Sequence, residues 1–102
     1  MTYSVQVKNK RTYTGAGCYV GRPSPLGNPF TIGKDGDRDE VVEKYEIWLV
    51  EQLKTDTPAK YEFDRLLTRL KLLHSLVLVC WCWPKRCHAD IIAKLLIEWA
   101  SR

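Results

Sequence analysis

The chain reads as a small α/β domain. It is expected to be a Rossmann-like sandwich with a short, partly parallel sheet and about three helices, in the order β-β-α-α-β-α. Three observations predict this. Residues 75–82 (SLVLVCWC) are almost continuously apolar, as a strand covered on both faces must be. A tight turn containing Pro84 and then a helical stripe follow directly, the strand–turn–helix succession of α/β architecture. Two earlier segments carry apolar residues at helical spacing.

The elements follow in order. Val5 and Val7 alternate with polar neighbours over residues 4–8, which predicts a first strand at a sheet edge. Residues 18–20 (CYV) form a short second strand that runs into GRPSPLGNPF, where glycines and prolines exclude helix and regular strand alike. Prolines fix φ and glycines allow close backbone approach, so that loop has a defined shape. Asp37 and Glu40 make a capping pattern, and Val41, Tyr45, Trp48, Leu49 and Leu53 predict a helix over 38–54. Tyr45 and Trp48 lie on its core stripe. Thr57-Pro58 opens a second helix over 58–74, with Phe63, Leu66, Leu67, Leu70 and Leu73 along one face. His74 falls at its C-terminus, where a cation is favourable and no catalytic role follows. Ile91, Ile92, Leu95, Leu96 and Trp99 predict a last helix over 88–100.

At 102 residues the chain suits a single domain, 1–102. No apolar run is long enough to span a bilayer, and the N-terminal segment lacks the continuous apolar core of a signal peptide. Three of four cysteines fall within eight positions, unlike the spread cysteines of a secreted disulfide scaffold. Together these point to a cytoplasmic protein. The net charge of +4 is dispersed among acids, which argues against a nucleic-acid-binding face and leaves room for a local anion site.

Two segments concentrate the chemistry. In CWCWPKRCH, a strand over 75–82 would place Cys80 and Cys82 on one face, with Trp81 and Trp83 on the other. Cys87 and His88 fall at a helix start, where backbone N–H groups favour negative charge. With Lys85 and Arg86 beside it, the Cys87 thiol is expected to have a lowered pKa, which makes it the best candidate for a reactive thiolate, with His88 as candidate base or orienting donor. Cys80, Cys82, Cys87 and His88 also offer zinc ligand types at a non-standard spacing, so no metal is assigned. Buried cysteines filling space beneath the turn are the plain structural alternative. In GRPSPLGNPF, Arg22 presents a fork for a carboxylate or phosphate, Ser24 and Asn28 can read a polar edge, and Gly21 and Gly27 allow close approach. A rigid loop in which Asn28 satisfies its own turn is the alternative there. Arg38 at the helix start can face the same place. Neither GxxxxGK[ST] nor GxGxxG occurs, and no cofactor is assigned.

Both loops follow the carboxyl ends of predicted strands, where α/β sheets bind ligands. If those strands are parallel neighbours, the loops converge. The expected function is binding of a small anionic, nucleotide-derived ligand between them, held by Gly21, Arg22, Ser24, Gly27, Asn28, Arg38, Lys85 and Arg86. A thiol- or histidine-dependent transferase or hydrolase using Cys87 and His88 is the enzyme alternative. Binding and blocking of a host protein is the third.

The paired motifs GRP-x-x-LGNP and C-x-C-x-P-x-x-CH resemble domain of unknown function family 4326, small phage and bacterial proteins. The resemblance covers residues 19–96. It implies that Gly21, Arg22, Pro23, Gly27, Asn28, Pro29, Cys80, Cys82, Pro84, Cys87 and His88 carry the family pattern. It implies a phage-type accessory protein working in the host cytoplasm if phage-encoded, and it implies no activity.

Overall fold

The structure, a computed structural model, describes residues 2–102; Met1 of the expected 1–102 domain lies outside the described residues. The elements are β1 (Ser4–Asn9), β2 (Cys18–Tyr19), α1 (Arg38–Gln52), α2 (Pro58–Leu73), β3 (Ser75–Cys80) and α3 (His88–Ala100). This is the expected order.

Local chemistry sets the helix limits. The Asp37 side chain accepts the Glu40 N–H at 2.9 Å while Glu40 Oε1 accepts the Asp37 N–H at 3.0 Å, a reciprocal cap on α1. Thr57 Oγ1 accepts the Lys60 N–H at 3.1 Å, and Pro58 occupies the first turn of α2. His74 ends α2 in the left-handed region at φ 63°, donating its N–H to the Leu70 carbonyl. Helices α1 and α2 therefore stop two residues and one residue short of the expected limits, 52 rather than 54 and 73 rather than 74.

The sheet has the order β1-β3-β2, and β3 pairs in parallel with both neighbours. The β1–β3 register runs from Ser4 opposite Ser75 to Asn9 opposite Cys80, while Cys18 and Tyr19 oppose Leu78 and Val79. All three carboxyl ends thus lie at one end of the sheet, and β1 is an edge strand as expected. Leu76, Leu78 and Cys80 face the main core, where α2 and α3 pack, with α1 resting on those helices. Val77 and Val79 alternate to the opposite face, where the 10–17 loop passes close enough that a Cβ on Gly17 would meet Val79 Cγ2 at 2.6 Å.

Strand β3 ends at Cys80, two residues before the expected limit, and the reason is loss of a partner. Lys10 donates its N–H to the Cys80 carbonyl at 2.7 Å, and β1 ends there. Asn9 Nδ2 then donates to the Trp81 and Trp83 carbonyls at 3.0 and 2.8 Å, drawing the chain into a turn. Cys80 and Cys82 accordingly do not share a strand face. Cys80 is wholly buried and Cys82 is half-buried.

The core joins Leu78 to Phe63 and Leu70 of α2, Ile92 and Leu96 of α3, and Tyr45 and Leu49 of α1, all wholly buried. Leu26 from the irregular loop is buried with them, so that loop is anchored in the core. Full burial of such side chains contributes roughly 1.5–3 kcal/mol each. Leu78→Ala, at the centre of the middle strand, is expected to cost about 2–5 kcal/mol in a urea unfolding titration.

Candidate functional site

The first wall of the site is the loop after β2, and its own side chains hold it in shape. Arg22 donates from Nε to the Asn28 carbonyl at 2.8 Å and from Nη2 to the Phe30 carbonyl at 2.9 Å. Asn28 Oδ1 accepts the Phe30 N–H at 2.9 Å, and its Nδ2 donates to the Val41 carbonyl at 3.2 Å, fastening the loop to α1. Tyr45 Oη donates to the Leu26 carbonyl at 2.6 Å from inside the core. Ser24 Oγ accepts the Leu26 N–H at 3.2 Å. A Cβ on Gly27 would stand 3.1 Å from the Arg22 backbone and from the Ser24 carbonyl.

The second wall is the turn between β3 and α3. Trp81 Nε1 donates to Tyr19 Oη at 3.1 Å, and Tyr19 Oη donates to the Arg22 carbonyl at 2.7 Å, a relay joining the two loops. Arg38 Nη1 donates to the Arg86 carbonyl at 3.1 Å, and Arg86 Nη1 pairs with Asp39 Oδ1 at 3.0 Å. Between the walls lies a cleft of about 480 Å³, within the range of small-molecule sites.

Of the expected ligand-binding residues, Gly21, Arg22, Asn28, Arg38 and Arg86 line this cleft, and so do Cys87, His88 and Cys82. Ser24, Gly27 and Lys85 do not. Ser24 closes a turn, Gly27 packs against its own loop, and Lys85 donates its N–H to the Cys82 carbonyl on the exposed side of the turn. Asn28 lines the cleft, but both ends of its amide are engaged by backbone, which corrects the expectation that it reads a ligand edge. Arg22 is chiefly a clamp on its own loop, with two of its nitrogens committed to carbonyls.

The cysteines also differ from expectation. Cys80 Sγ and Cys87 Sγ lie 3.2 Å apart and share a hydrogen bond. Donation by the Cys87 S–H, with help from the Cys82 and Trp83 backbone N–H groups, lowers the Cys80 pKa. Giving that hydrogen bond, together with burial, pushes the Cys87 thiol up instead of down. The helix start does aim the Ala89 N–H at Cys87, but that effect is the smaller one. Cys87 is therefore not the ready thiolate expected from the loop's charge. Among the described residues, no group of three or more His, Cys, Asp or Glu is disposed to hold a metal ion.

His88 opens α3, and its Nε2 lies 2.8 Å from the Val20 carbonyl. A carbonyl only accepts, so the neutral ring carries its proton on Nε2. The edge of Tyr45 packs against it, and burial, followed by the nearby Arg22 charge, lowers its pKa. Seven further lining residues were not expected at the site from the sequence: Tyr19, Phe30, Thr31, Ile32, Val41, Val42 and Trp81. Ile32 and Trp81, 49% and 54% exposed, carried the clearest signal, as large apolar residues beside an irregular loop. No carboxylate is among the lining residues, whereas three guanidinium groups are.

A small α/β protein with a preformed, arginine-bearing cleft beyond the carboxyl ends of a parallel sheet is the class this fold and site define. The chain belongs to the family described as Domain of unknown function (DUF4326), whose model matches residues 5–98. No curated protein and no solved structure matches the chain.

Two predictions follow from this geometry. Removing the buried hydroxyl in Tyr45→Phe leaves the Leu26 carbonyl without its donor, and is expected to cost about 1–3 kcal/mol in chemical unfolding. The lowered His88 pKa means that, in acid, the unfolded chain binds a proton the folded chain resists. Stability should therefore fall as pH drops below about 6.5, the ordinary histidine value. His88→Gln lacks this titration, so its stability deficit relative to the parent should be smaller at pH ~5 than at pH ~7 in paired thermal melts.

Proposed function

We propose that the cleft binds a small anionic, nucleotide-derived ligand. The observation that carries this reading is the convergence of Arg22, Arg38 and Arg86 on one cavity that has no carboxylate in its lining. Guanidinium groups pair with phosphate through planar, charge-assisted bonds. The aromatic side chains of Tyr19, Phe30 and Trp81 line the same space and suit a flat ring at the other end of the ligand.

Arg38 and Arg86 are the residues assigned to the anion. Each is tethered by one hydrogen bond across the cleft mouth and retains further donors. Arg22 keeps the wall in shape and adds its positive field. His88, neutral and held by Val20, belongs to the apolar side of the pocket. In this reading the protein works in the cytoplasm, a host's cytoplasm if phage-encoded, and its partner is the small molecule. Four free cysteines accord with a reducing compartment.

Thermal-shift measurements with a panel of nucleoside mono-, di- and triphosphates and cyclic nucleotides test the proposal. At least one member should raise the melting temperature of the parent protein. Arg38→Ala and Arg86→Ala should each weaken that ligand by about tenfold or more, the loss of a charge-assisted bond worth roughly 1.5–3 kcal/mol. A parent protein that no member of the panel stabilises, or arginine variants that bind like the parent, would overturn it.

A further inference from the structure

Beneath the cleft lies a pair of side chains that ligand binding does not use. Cys80 closes β3 and Cys87 precedes α3, and the intervening turn brings their sulfurs to 3.2 Å. Cys80 is wholly buried, while Cys87 is 3% exposed and contributes to the cleft wall. Sulfurs sealed in a core behave as apolar filler. Here one of the two meets an open cavity and the other stands directly behind it.

We propose that Cys80 and Cys87 form a peroxide-reactive dithiol that closes to a disulfide at the floor of the cleft. Hydrogen peroxide is small enough to enter a space of about 480 Å³. With Cys80 ionised and its proton released to solvent, Cys87 Sγ attacks one peroxide oxygen as its own proton passes to the Cys80 thiolate. An S–O bond forms, the O–O bond breaks, and the departing hydroxide takes up from solvent the proton that Cys80 gave up on ionising and leaves as water. Cys80 Sγ then attacks Cys87 Sγ; the S–S bond forms, the S–O bond breaks, and a second water carries away the remaining thiol proton. Two thiols and one peroxide become one disulfide and two waters, the sulfurs oxidised and the peroxide oxygens reduced.

The surroundings suit each part. Backbone N–H groups of Cys82 and Trp83 act on Cys80 Sγ and stabilise negative charge there, as the base that receives the Cys87 proton requires. The sulfurs must close from 3.2 Å to about 2.05 Å, a change of roughly 1 Å that side-chain rotation supplies. Cys82 is the competitor, since it also lines the cleft. Among the described residues, however, its sulfur makes no hydrogen bond with either member of the pair.

The full chain, folded and fully reduced, is treated with hydrogen peroxide, alkylated and weighed intact. Both the parent and Cys82→Ser should take up two fewer alkyl groups than their untreated samples, and dithiothreitol before alkylation should restore both. Trypsin cuts after Lys85 and Arg86, so the expected link joins peptide 72–85 to peptide 87–94. Cys82 is half-buried at the edge of the core, so Cys82→Ser replaces no fully buried side chain, and its circular dichroism is compared with the parent's before oxidation. The proposal is overturned if the link forms in the parent but not in Cys82→Ser. It is equally overturned if the folded protein keeps all its thiols under conditions that oxidise the urea-unfolded chain.

Discussion

Parallel pairing of β3 with both β1 and β2 is the constraint on which the rest of this molecule depends. With β3 in the middle, every strand delivers its chain at the same end of the sheet, and the two irregular loops must leave side by side. Parallel connections require long crossovers, which α1 and α2 supply between β2 and β3. Helices α2 and α3 then cover the Leu76–Leu78–Cys80 face, with α1 resting on them. An antiparallel β2 would send the GRPSPLGNPF loop to the far end of the sheet, and the cleft would not exist.

The loops stay in place because core and backbone hold them. Leu26 is buried as deeply as any helical core residue, and Tyr45 reaches its carbonyl from α1. Arg22 and Asn28 bond to main-chain groups of the same loop and of α1, a division of labour in which polar side chains replace secondary structure. The tie from Trp81 through Tyr19 to the Arg22 carbonyl spans both walls, and His88 reaches Val20 beside it. A cavity braced in this way is preformed, and under the proposed function that would limit the ordering cost of binding.

The Cys80–His88 segment shows how neighbouring residue types take different work from small changes in backbone path. Ending β3 at Asn9's partner turns Cys80 inward and leaves Cys82 at the cleft. Cys87 then meets Cys80 rather than solvent, and its thiol acts as donor to a sulfur already favoured by two amides. A helix start and two basic neighbours would lower an isolated thiol, but a hydrogen bond given to a buried sulfur outweighs them here. His88, one residue on, is kept neutral by burial and by the nearby Arg22 charge, while the Val20 carbonyl fixes its ring.

Much of the fold was legible in residue order alone. Apolar periodicity located all three helices, the Asp37–Glu40 and Thr57–Pro58 pairs set the starts of the first two, and the apolar run of 75–82 marked the central strand. These are local properties, decided within a turn or two of chain. The two loops stood out for the same reason, since their prolines and glycines exclude regular structure. Tertiary structure decided the rest. Where β3 ends depends on the length of β1, some seventy residues away in sequence, as Asn9's bonds to Trp81 and Trp83 show. Whether Arg22 and Asn28 face a ligand or their own loop depends on carbonyl groups whose directions no spacing rule encodes. The acidity of Cys87 likewise rests on a single sulfur contact made only when strand and helix close on one another.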